Sequence, residues 1–88
     1  MPIEIKWDDL DPLTGARRYI RVERYARAWE FRTRTQRRGI WEKGLVPTKA
    51  MYEILLDALM RKYRRRDGVS DEQIAEVRRT LANWRGPE

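Results

Sequence analysis

The stretch RRYIRVERYARAWEFRTRT, residues 17–35, decides the fold, because it reads either as two strands or as one helix. From 17 to 24, Ile20 and Val22 alternate with Tyr19, Arg21 and Glu23. From 28 to 37, Trp29, Phe31, Thr33 and Thr35 alternate with Glu30, Arg32, Arg34 and Gln36. A period of two belongs to a strand with one buried face. Tyr19, Val22, Ala26 and Trp29 also fall at helical spacing, which keeps a helix over 19–29 as the competing reading. The β-branched and aromatic content favours strands. Their join, Arg24-Tyr25-Ala26-Arg27, offers no Gly, Asn or Pro for a tight primed turn. If the turn centres between Ala26 and Arg27, Val22 faces Phe31 and Ile20 faces Thr33, with the apolar side chains on one face. The same register sets Arg21 opposite Arg32 and Glu23 opposite Glu30. Like charges in those positions repel, and the diagonals Glu23–Arg32 and Arg21–Glu30 are expected to compensate.

Working outward, Ile3, Ile5 and Trp7 alternate with Glu4, Lys6 and Asp8, a third strand. Asp11-Pro12-Leu13-Thr14-Gly15 carries the residues of a hairpin loop, with Asp11 bonding the backbone and Gly15 accepting positive φ. Beyond Gly39, the group Ile40, Trp41, Leu45 and Val46 around Gly44 is either a short fourth strand or an apolar loop. After Pro47, Thr48 is placed to cap a helix. Met51, Ile54, Leu55, Ala58, Leu59 and Tyr63 recur at three- and four-residue spacing, and Tyr52, Leu56 and Met60 widen that stripe. Arg64, Arg65 and Arg66 suit the negative end of the helix, and Gly68 is expected to stop it. Ser70 and Gln73 make a capping box for a second helix whose seam is Ile74, Val77, Leu81 and Trp84. The expected architecture is α+β: a small antiparallel sheet of three or four strands, packed against a C-terminal αα-hairpin. It is read as one domain over 1–88, β-rich and basic over 1–46 and helical over 47–86. Trp29, Trp41 and Trp84 are expected in the core.

Composition narrows the function. Eighty-eight residues with no cysteine and no histidine lack a thiolate, a disulfide, the commonest general base and the commonest neutral metal ligand. A non-enzymatic protein without cofactor is therefore expected. The acids at 4, 8, 9 and 11 lack the spacing of a calcium loop and are read as turn chemistry, not as a metal site. No apolar run reaches membrane-spanning length, and Met1 to Lys6 lacks the order of a secretory leader, so a cytoplasmic location is expected.

The net charge of +6 is concentrated: residues 17–38 hold nine Arg against two acids, and residues 39–66 hold seven bases against three acids. Such a distribution is the footprint of a polyanion partner, and Arg suits bidentate phosphate contacts. Arg21, Arg32, Arg34 and Tyr19 fall on the sheet face away from the core, with Arg37 and Arg38 at its end and Arg64, Arg65 and Arg66 on the first helix. An Arg face with an aromatic holds single-stranded nucleic acid by phosphate pairing and base stacking. The expected function is therefore binding of RNA or single strands, largely independent of sequence. The alternative is an adaptor or homodimerising module whose contacts are Tyr52, Leu56 and Met60. Gly68-Val69-Ser70 followed by Ile74 and Val77 resembles the turn and second-helix spacing of helix-turn-helix DNA-binding proteins. Two departures stand against it. Arg64 occupies the position where that family has a small residue, and Asp71, Glu72 and Glu76 would face the phosphates.

Overall fold

A computed structural model describes residues 3–25 and 28–88. The elements run β1 (Glu4–Leu10), β2 (Arg17–Tyr25), β3 (Ala28–Arg34), α1 (Lys49–Arg64) and α2 (Asp71–Ala82), which is the α+β order expected. The chain divides into two compact units, Met1–Val46 and Pro47–Glu88.

The first unit is an antiparallel sheet in the order β1-β2-β3. Residues 19–25, 28 and 29 are strand, so the helical reading fails there; the turn expected at Ala26 and Arg27 lies outside the described residues. The register is the one the alternation implied, with Val22 opposite Phe31, Ile20 opposite Thr33, Arg21 opposite Arg32 and Glu23 opposite Glu30. Ile5 faces Val22 and Trp7 faces Ile20 across β1 and β2, so the apolar residues of all three strands share one face. Ile3, Ile5, Ile20, Val22 and Phe31 are buried there. Trp7 meets Phe31 edge-on at 6.4 Å.

The β1–β2 loop follows its turn chemistry. Asp11 Oδ1 accepts from the Leu13 amide at 2.8 Å, and Gly15 sits at φ 71°, a region that favours a residue without Cβ. Of the four acids read as turn chemistry, Asp11 alone lies in the loop; Glu4, Asp8 and Asp9 stand on β1 and pair with Lys6 at 3.0 Å, Arg17 at 2.8 Å and Arg18 at 2.7 Å. Arg18 is held further above the ordinary guanidinium range by its hydrogen bond to Asp9.

One expectation is corrected and one open alternative is decided. β3 ends at Arg34, so Thr35 to Arg38 form a bend and turn rather than strand. No fourth strand forms among the described residues. Glu42 instead makes an isolated antiparallel bridge with Thr33, through bonds of 3.1 and 2.7 Å.

In the second unit, Thr48 caps α1 by accepting from the Met51 amide at 3.2 Å. Ser70 and Gln73 form the reciprocal capping box of α2, at 3.2 and 2.8 Å. The Ser70–Val77 spacing that resembles helix-turn-helix proteins is thus that of a capped helix start. Met51, Leu55, Leu59, Ile74 and Val77 are buried. The stripe on α1 is narrower than expected, because Ile54 and Tyr63 are 41% and 43% exposed. Positions 51, 55 and 59 define the buried line, and Ile54 falls to one side of it. Trp84 packs edge-on against Tyr52 at 5.2 Å, and Pro87 O accepts from both Trp84 Nε1 and the Lys49 amide, each at 3.0 Å.

Candidate nucleic-acid interface

The polar face of the sheet is banded by charge. Register places Glu4, Glu23 and Glu30 in one cross-strand row, Lys6, Arg21 and Arg32 in the next, and Asp8, Tyr19 and Arg34 in the third. Like charges in a row repel, and the structure relieves this between rows. Lys6 pairs with Glu4 at 3.0 Å, Arg21 with Glu4 at 3.0 Å and with Glu23 at 2.9 Å, and Arg32 with Glu30 at 3.3 Å. These pairs run mostly along the strands, so the expected diagonals Glu23–Arg32 and Arg21–Glu30 are replaced. Glu4 is pulled below the ordinary carboxylate range, chiefly by its hydrogen bond to Lys6 and further by Arg21.

Two of the expected phosphate ligands, Arg21 and Arg32, are therefore committed to internal acids. Arg34 is not: among the described residues no acid lies within ion-pair distance of it. Its guanidinium carbon stands 4.2 Å from the Trp41 ring centre and 5.7 Å from that of Tyr19, and Arg21 approaches the same Trp41 ring at 5.9 Å. Arg34 Nη1 reaches Gly39 O at 3.4 Å, while its Nε is buried without a partner. Stacking on an aromatic face holds the guanidinium plane fixed and leaves its remaining N–H groups for an acceptor.

The position of Trp41 corrects its expected place in the core. Glu42 is paired with Thr33 and shares its side of the sheet, so the preceding residue projects to the opposite, polar side. The turn before it closes through the Gly39 amide and Gln36 O at 2.9 Å, and Gly44 leaves the bridge at φ 97°. A bridge across nine residues thus brings a second aromatic to the row that already holds Tyr19. Local periodicity carries no trace of that pairing.

Between these groups lies a cleft of about 400 Å³ lined by Lys6, Trp7, Asp8, Arg17, Tyr19, Arg34, Arg37 and Trp41. Its cations outnumber its single acid, Asp8, which is held by Arg17 at 2.8 Å. The structure brings Tyr19, Arg34 and Arg37 together here and adds Lys6, Arg17 and Trp41, which the sequence reading did not select. Arg38 lies on a neighbouring depression with Gln36, Gly39 and Ile40. Arg64, Arg65 and Arg66 belong to the other unit and are exposed.

The residues of the alternative interface are half-buried. Tyr52 is against Trp84, and Met60 Sδ accepts from Arg78 at 3.5 Å. Burial raises the Tyr52 phenol above its ordinary value. The large apolar side chains exposed on α1 are Ile54 and Tyr63. No helix among the described residues is long and apolar enough to cross a membrane. Comparison with protein-family models, with curated proteins and with solved structures finds no match to this chain.

Proposed function

We propose that the polar face of the sheet binds single-stranded nucleic acid, with one base in the cleft beside Trp41 and Tyr19 and the flanking phosphates on Arg34 and Arg37. One observation carries this reading: an Arg34 guanidinium without an acidic partner stands 4.2 Å from the Trp41 ring centre and 5.7 Å from that of Tyr19, in a cation-lined cleft of nucleotide size. Bases stack on aromatic rings and on guanidinium planes alike, and every base has such a face, so the contact is tolerant of sequence. A duplex hides its base faces, so it would reach the cations and not the rings.

The test is a titration of labelled single-stranded RNA, single-stranded DNA and duplex DNA, followed by anisotropy at several salt concentrations. Single strands should bind more tightly than the duplex. Trp41→Ala should weaken the strand roughly 10-fold while leaving the duplex within about 2-fold, since a stacked base contributes about 1–3 kcal/mol. Equal losses on strand and duplex, or none on the strand, would sink the reading. A protein that binds no nucleic acid would redirect the search to the Tyr52, Leu56 and Met60 surface.

A further inference from the structure

The end of α1 is closed by an unusual residue. The Asp67 amide donates to Lys62 O at 2.9 Å and the Arg66 amide to Tyr63 O at 3.0 Å. This is the two-bond Schellman closure, in which the residue after the cap adopts left-handed backbone and is usually glycine. Here that residue is Arg66, at φ 56°. The expected stop, Gly68, lies two residues further on at φ 82°, so it shapes the loop without closing the helix. A Cβ in this region crowds the following carbonyl, and an Arg there is retained at a cost to the fold.

The charge around it is organised too. Arg61 is paired with Asp57 at 2.7 Å and Lys62 with Asp67 at 3.3 Å. Arg64, Arg65 and Arg66 have no acid within ion-pair distance among the described residues, and all three are exposed. Asp71, the nearby acid at the start of α2, is engaged by the Tyr63 hydroxyl, whose pKa that hydrogen bond raises. The helix dipole is already answered by Arg61, Lys62 and Arg64 in the last turn, so it does not require Arg66. Arg64 and Arg66 line a depression of about 540 Å³ with Tyr63, Gly68 and Val69.

We propose that this loop end of the αα-hairpin is a second phosphate-binding site, where Arg64 and Arg66 take backbone phosphates of a nucleic-acid strand beside the exposed ring of Tyr63. Two neighbouring guanidinium groups offer the forked donors that phosphodiester oxygens accept. The choice of a nucleic-acid strand as ligand rests on the function proposed for the sheet, whereas the unpaired Arg cluster and the left-handed Arg66 are independent of it.

The full chain is titrated with labelled single-stranded RNA across a salt series. Arg64→Gln with Arg66→Gln should reduce the slope of log affinity against log salt by about 1.4, since each single-strand phosphate contact contributes about 0.7. Affinity near physiological salt should fall roughly 10-fold. Arg66→Gly should raise the thermal midpoint by a few degrees, through relief of the left-handed residue, and still lose about 0.7 of slope. Arg66→Lys should keep the slope. Wild-type slope and affinity in the double variant would overturn the proposal, as would full binding by the more stable Arg66→Gly protein. Loss in these variants with full binding by Trp41→Ala would uphold this site and remove the sheet cleft. The reverse pattern would do the opposite, and a wild-type chain that binds no strand would remove both.

Discussion

Glu23 is the residue on which the polar face depends. It is 6% exposed, in a row with two other glutamates, and burying a carboxylate there requires partners. Tyr25 supplies one, its hydroxyl donating to Oε2 at 2.8 Å. Arg21 supplies the other as a charge contact, with Nη2 2.9 Å from Oε1 but outside hydrogen-bond alignment. Tyr25 is correspondingly raised above the ordinary phenol value, by the hydrogen bond to Glu23 first and its charge second. A raised folded pKa means that this contribution is complete below the unfolded value near 10 and is lost as pH climbs through the folded one. Glu23→Gln keeps the shape but strips Arg21 of a counter-charge, so it should cost about 1–2 kcal/mol in urea unfolding. The Tyr25 titration, followed by NMR, should return toward the ordinary value. An unchanged midpoint with an unchanged Tyr25 titration would show that the buried carboxylate is held by something else.

At the scale of elements, the sheet is governed by its charge bands, and these make its stability depend on pH. Glu4 has its pKa lowered by Lys6 and then Arg21, so its contribution is present above the unfolded carboxylate value and lost as pH falls through the folded one. Its side chain is 37% exposed, which limits the effect to a few tenths of a kcal/mol. Glu4→Gln should therefore make unfolding free energy less dependent on pH below about 4.5, with little change at neutral pH, where Arg21 still has Glu23. An acid limb identical to that of the wild type would rule out this assignment. The same bands explain what was legible. Strand alternation over 17–35 set the parity of the β2–β3 register, because a slip by one would move every apolar side chain to the other face, and a turn centred between Ala26 and Arg27 then selects Val22 opposite Phe31. Tyr19 and Arg34 were found on the polar face for that reason. Trp41 was not, because its place is set by the Thr33–Glu42 bridge, a non-local pair without periodicity. On the helical side both caps were legible from their residue types. The helix stop was not, because Schellman geometry counts from the last helical residue and not from the nearest glycine.

At the scale of the whole molecule, composition and structure make different forecasts of polyanion binding. Twenty bases acting as a diffuse cloud would each contribute to counterion release, giving a log–log salt slope approaching about −14 on a single strand. The structure removes many of them from that count. Lys6, Arg17, Arg18, Arg21, Arg32, Arg61 and Lys62 all have carboxylates at 2.7 to 3.3 Å. Among the bases that lack such a partner, the two concavities proposed as phosphate sites hold four: Arg34 and Arg37 in the cleft of the sheet, Arg64 and Arg66 at the end of the hairpin. Four phosphates neutralised at these places predict a slope near −3 for single-stranded RNA. A slope beyond about −6 would mean that the Arg-rich surface acts as a whole and neither concavity matters. One weaker than about −1 would mean that phosphates are not the ligand. The middle value alone requires that the internal acids hold their bases when a strand arrives. Releasing Arg21 would leave Glu23 buried without its counter-charge, a penalty that one exposed phosphate contact does not offset.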